Sequence, residues 1–211
     1  MTTDPQSSPR SAILRWAERA LFLIALACLG TYAYVALDAR FAQQAASERF
    51  AESLARQAQP AVLPGDADAA APASPAPLHP GDVVGRLEIP RVGISVMVFE
   101  GDGDDVLRQA AGHIPGTGLP ENRQANVGIA GHRDTFFRPL KDIHEGDEIV
   151  LTTAGGTFRY AVDSTRVVPP EEVSVLAPRA RPLLTLVTCY PFYYVGHAPK
   201  RFVVQAALTS R

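Results

Sequence analysis

Cysteine is almost missing from this chain: 211 residues contain two, Cys28 and Cys189. Two thiols cannot build the disulfide framework of a small secreted fold, and no Cys/His cluster of a structural zinc site accompanies them. A charge of one sign is missing as well. The balance of 20 Lys and Arg against 22 Asp and Glu, a net charge of -2, offers neither a nucleic-acid footprint nor an affinity for acidic polymers. No internal repeat is visible. A lone thiol in a globular domain serves either packing or chemistry.

One long hydrophobic run is present. Residues 20–37, ALFLIALACLGTYAYVAL, are uncharged, and as a helix they would span roughly 27 Å against a hydrocarbon core of about 30 Å. Arg10, Arg15 and Arg19 precede the run and Asp38 follows it, so the positive-inside rule expects residues 1–19 to be a cytoplasmic arm and the remainder to lie outside. A cleaved signal peptide fits less well, because the clearest A-x-A, Ala25 to Ala27, sits in the middle of the run. Lipoprotein attachment at Cys28 is weakened by Ala25 where leucine is expected. In the anchor reading Cys28 is an apolar side chain in lipid.

Residues 38–81 read as a stalk. Phe41 with Ala45, and Phe50 with Leu54, fall at helical spacing, and residues 60–81, PAVLPGDADAAAPASPAPLHPG, form a proline- and alanine-rich spacer that cannot build a core. From Asp82 to Arg211 short runs of β-formers are punctuated by Gly, Pro, Asp and Asn, the pattern of a sandwich or barrel. Strands are expected at 83–89, 94–99, 126–130, 147–152, 157–168, 183–188 and 202–208, with a hairpin turn at AGGT, residues 154–157. Short helices fit 104–110 and 170–176.

Three residues stand at strand ends, where a rigid sheet presents side chains to solvent. His132 follows VGIAG, Cys189 ends LLTLVT, and Arg201 opens RFVVQAAL. A thiol that breaks an amide needs a proton donor for the departing amine and a cationic or hydrogen-bonding group for the oxyanion. Histidine and arginine supply these. Taken singly each residue has a plainer reading: buried thiol, turn histidine, solvated strand-edge arginine.

The surrounding segments GRLEIPRVGISVMVFEG, GHIPGTGLP, NVGIAGHRDTFFRPL, GDEIVL and TLVTCYPFYYVGHAPKRFVV resemble the sortases, membrane-anchored cysteine transpeptidases, and most closely their class D. The resemblance runs from about Asp82 to Leu208. GHRDTFF and TLVTC are set so that 57 residues separate His132 from Cys189, and Arg201 follows 12 further on. It implies a mainly β fold, a closed barrel of about eight strands with short helices, one more strand than the pattern discloses. It also implies that Cys189 attacks the threonine carbonyl of a C-terminal LPxTG- or LPxTA-like sorting motif to give a thioacyl enzyme. His132 then protonates the leaving amine, and Arg201 steadies the oxyanion. The acceptor would be an amine on cell wall, pilin or another surface molecule. Thr188 corresponds to the threonine of the family's TLxTC motif, and with His113 of GHIPGTGLP and Tyr190 it is a candidate for substrate binding. Phe192, Tyr193 and Tyr194 could wall a peptide groove or cover the barrel's end, while Arg133 and Asp134 could tune His132 or cap its loop. His197 reads as an exposed loop residue. No cofactor is implied; some sortases bind calcium near the site, but no loop here carries a dense acidic run, and no metal is assigned. The lid and C-terminal membrane segment of pilin-assembling sortases are not seen, which favours an attaching over a polymerising enzyme.

Two enzymatic rivals are weaker, and a third reading is not enzymatic. An L,D-transpeptidase-like cysteine enzyme carries histidine two places before its cysteine, where Val187 stands here, and papain-like peptidases place cysteine before histidine in the chain. A non-catalytic anchored β-barrel that binds peptides or glycans would need no thiol.

Overall fold

Eight strands close into a barrel in the order β1-β2-β3-β4-β7-β8-β6-β5. The structure, a computed structural model, describes residues 9–58, 78–122, 125–194 and 196–210. The chain divides into two compact units, residues 1–41 and 42–211. In the first, helix α1 (Pro9–Ala58) carries an apolar stretch, Leu14–Tyr34, that is long and apolar enough to cross a membrane. Cys28 is exposed on it. In the second unit the end of the same helix is no free stalk: Ala46 and Phe50 bury against Met97, and the Gln43 side chain donates to the Gln109 carbonyl at 2.6 Å while accepting from the Met97 N–H at 2.8 Å. The expected proline-rich spacer lies mostly outside the described residues.

The strands are β1 (Val83–Ile89), β2 (Ile94–Glu100), β3 (Ala111–His113), β4 (Asn126–Ala130), β5 (Glu148–Thr153), β6 (Gly156–Val168), β7 (Leu183–Tyr190) and β8 (Lys200–Ser210). Alternate side chains turn inward, so Leu87 and Ile89 of β1, Ile129 of β4, Ile149 and Leu151 of β5, and Leu184 and Leu186 of β7 are fully buried in one core. The turn between β5 and β6 falls where two adjacent glycines predict it, with Gly156 at φ 130°. Helix α2 (Asp104–Leu107) is shorter than expected, and the helix expected at 170–176 is a turn followed by one 3₁₀ turn, Val173–Leu176.

Every one of the eight strands has an antiparallel neighbour, yet two contacts are parallel: β2 with β3, and β4 with β7. The second requires a return from the far end of β6 to the start of β7, and residues 169–182 make it across the outer face. Asn126 fixes that crossover, its side-chain amide donating to the Val175 carbonyl at 2.9 Å while its oxygen accepts from the Thr185 hydroxyl at 2.7 Å.

At one rim Arg91, in the 3₁₀ turn after β1, grips Asp147, whose carboxylate also accepts the His144 N–H at 2.7 Å. The arginine hydrogen bond holds this nearly buried carboxyl below the usual aspartate range, outweighing desolvation, which acts the other way. A depressed folded value means that the unfolded chain takes up the proton first as pH falls. The contribution is therefore complete above about pH 4 and disappears as pH drops through the folded value. Asp147→Asn should lower the urea midpoint at pH 6 and the gap to wild type should narrow by pH 3; a gap independent of pH would contradict this.

Candidate active site

The parallel pairing of β4 with β7 does not stop with the strands. After Ala130 aligns with Val187, the Gly131 N–H donates to the Val187 carbonyl at 3.1 Å, and the Gly131 carbonyl accepts the Thr188 hydroxyl at 2.7 Å in a buried bond. The next residues on the two segments are His132 and Cys189. A Cβ on residue 131 would stand 2.7 Å from the ring of fully buried Phe137, so only glycine lets that ring close over the turn. Phe137 in turn donates its N–H to the His132 carbonyl at 3.1 Å, folding the histidine loop back on the barrel.

Cys189 lies within β7 rather than beyond it, because β7 and β8 pair two residues further than the sequence pattern implies. Cys189 is opposite Arg201 and Tyr190 opposite Lys200. With Leu184, Leu186 and Thr188 inside, alternation turns Cys189 outward, and side chains at directly opposed positions share a face. The thiol is half-buried and free. His132, Cys189 and Arg201 line one open cleft of ≈ 240 Å³, together with Arg133, Asp134, Gly196, His197 and Ala198. Arg201 Nη1 donates to the carbonyls of Ala198 at 3.3 Å and Lys200 at 3.1 Å. Beside the cleft, the Arg138 guanidinium sits 5.2 Å from the centroid of exposed Tyr193. The nearby Lys141 ammonium is held above the usual lysine range, chiefly by its hydrogen bond to Asp142.

The remaining candidates fall elsewhere. Thr188 is a strut inside the barrel, joined to the histidine loop rather than facing the cleft. Tyr190 stacks on Phe202 at 6.4 Å and meets Phe192 edge-on at 6.0 Å, so these three aromatics cover the barrel's end while Tyr193 and Tyr194 stay exposed. His113 does not line the cleft. It is buried in β3, its Nδ1 2.6 Å from Glu100 Oε2 and its Nε2 3.1 Å from both the Gly118 carbonyl and the Thr117 hydroxyl. It borders a separate cavity of ≈ 600 Å³ near the start of β1, the end of β2 and the β5–β6 turn, at the barrel end opposite Cys189. His197 is exposed in the loop between β7 and β8, as the run YYVGHAPK suggests, and it also lines the cleft wall. Among the described residues no group of three His, Cys, Asp or Glu side chains is placed to hold a metal ion.

The family model described as Sortase domain matches residues 87–209, more than half of the chain and all of the elements that build the cleft. The chain belongs to the sortase family. Sortase D of Bacillus subtilis (strain 168) is 34% identical over 125 residues, 59% of this chain and 63% of that protein. This sortase chain spans between 39% and 63% of the length of the curated relatives it matches. Among solved structures, sortase C from Clostridium perfringens SM101 superposes with a TM-score of 0.58 at 29% identity, covering 64% of this chain and 73% of that one. Sortase A from Corynebacterium diphtheriae gives 0.58 at 31% identity, covering 62% of each chain. The eight-strand barrel is thus the sortase barrel, and the Sortase D match agrees with the class D character of GHRDTFF.

If the Thr188 strut holds the histidine loop to the cysteine strand, Thr188→Val leaves a buried carbonyl without its donor. Stability should fall by about 1–3 kcal/mol in urea titrations, and iodoacetamide labelling of Cys189 should change. Thr188→Ser should stay near wild type; equal behaviour of all three proteins would refute the strut.

Proposed function

We propose that this chain is a cysteine transpeptidase that cleaves an LPxT-type sorting motif after threonine and passes the acyl group to an amine. The observation that carries the reading is the convergence of Cys189, His132 and Arg201 on one open cleft at the ends of β4 and β7 and the start of β8. The Cys189 thiolate adds to the threonine carbonyl carbon, and the Arg201 guanidinium, always charged, balances the oxyanion. When the C–N bond breaks, the imidazolium of His132 gives its proton to the departing amine, leaving a thioester on Sγ. The incoming amine then attacks that thioester, His132 takes the proton, and the thiolate leaves. Water is the slow substitute.

The cleft's neighbours suit a peptide laid along the barrel. Ala130, the outward residue of β4 next to the cleft, is small and only half-buried, which leaves room there for an extended chain. The apolar run 20–37 would anchor the protein with Arg10, Arg15 and Arg19 on the cytoplasmic side and the barrel outside, facing secreted proteins with LPxTG- or LPxTA-like tails. The acceptor would be an amine of the cell wall, a pilin or another surface molecule.

The test is a mass measurement. The full chain in detergent, mixed with LPxTG and LPxTA peptides, should gain the acyl fragment on Cys189 and lose it on adding an amine. Cys189→Ala should gain nothing while still binding peptide, and a reaction that needs both a general acid and a general base should show a rate that rises and falls with pH. Persistent absence of an adduct with every such peptide, or a rate flat from about pH 5 to 10, would sink the reading in favour of a binding module.

A further inference from the structure

The loop from β7 to β8 forms the cleft wall that carries Gly196, His197 and Ala198, and it lies outside the sheet. Three of its carbonyls meet a single guanidinium. Arg133 donates from Nη1 to Pro191 at 2.9 Å and from Nη2 to Tyr194 at 2.8 Å and Gly196 at 3.0 Å, and its carbon stands 5.8 Å from the Tyr194 ring centroid. Arg133 directly follows His132, so one planar fork joins the loop bearing the imidazole to the loop that follows the thiol. Arg201 reaches the same wall only through Ala198, at 3.3 Å, its second bond going to the carbonyl of its own neighbour Lys200 in β8 at 3.1 Å.

We propose that Arg133 is a positioning residue for the transfer reaction: its guanidinium fixes the cleft wall beside which Arg201 is set, so that Arg201 is held where its remaining N–H donors meet the substrate oxyanion. This rests on the transpeptidase reading of Cys189, His132 and Arg201. Arg201 commits only Nη1 to backbone carbonyls, and of these only Ala198 lies on the wall, a single bond at 3.3 Å. The three shorter bonds of Arg133 supply the fixing that this one contact does not. Lysine keeps the charge at 133 but cannot fork to three carbonyls, so the substitution is not conservative here.

Arg133→Lys and Arg133→Met are compared with wild type in thioacyl formation on Cys189. Because the oxyanion is absent from the bound ground-state peptide and forms only on thiolate addition, misplacing Arg201 should lower kcat by about tenfold or more with little change in peptide KM, while the melting temperature stays near wild type. A kcat within about twofold of wild type in both variants, or a KM that rises as far as kcat falls, would overturn the proposal. Should wild type acylate with no peptide, the transpeptidase reading fails on its own account, and limited proteolysis after Cys189 then judges the tether. Faster cleavage in Arg133→Met supports it; equal rates overturn it.

Discussion

Everything at this site depends on the parallel contact between β4 and β7 running past the last strand residue of β4. Two bonds carry it, Gly131 N–H to Val187 and Thr188 hydroxyl to Gly131, the second of them buried where water cannot compete. Because parallel neighbours point the same way, their ends arrive at the same rim, and the residues that follow, His132 and Cys189, emerge side by side. An antiparallel pair would have put them at opposite ends. The crossover of residues 169–182 is the cost of that arrangement, and Asn126 and Gln205 hold it down by converging on one carbonyl, that of Val175.

Around this seam the barrel divides labour by face. Inward residues of β7, Leu184, Leu186 and Thr188, fill the core or brace it, and Cys189 is the outward residue that the bracing serves. Cationic groups gather at the mouth: Arg201 across from the thiol, Arg133 on the loop, Arg138 and Lys141 beside Tyr193. In the proposed reaction, fixed positive charge at that rim would favour the developing oxyanion, although Lys141 is already paired with Asp142.

Much of this was legible in the sequence, for a physical reason in each case. Strands such as 183–188 announce themselves because alternation and β-branching reflect a two-faced surface, and the AGGT turn because Gly156 takes a φ that other residues avoid. β3 was invisible: Ala111–His113 is three residues long, contains a glycine, and exists only through its pairing with β2 and β4. His113 looked like a cleft residue because its motif sits among family segments, but burial against Glu100 is a long-range fact. The same holds for Arg133, whose three acceptors lie 58 to 63 residues away. The packing of Ala46 and Phe50 on Met97 likewise turned an expected stalk into part of the folded unit, since an amphipathic spacing states that a face is buried but not against what.

The central claim is that residues 132 and 189 sit together at one barrel rim because β4 and β7 are parallel. In a Cys28→Ser, His132→Cys protein, a short bis-alkylating reagent such as dibromobimane should bridge the introduced thiol to Cys189 within one chain. Bridging should be fast and stoichiometric, and a cysteine placed at His113 instead should give none. Failure to bridge 132 to 189 in the folded protein, with both thiols accessible, would contradict the account.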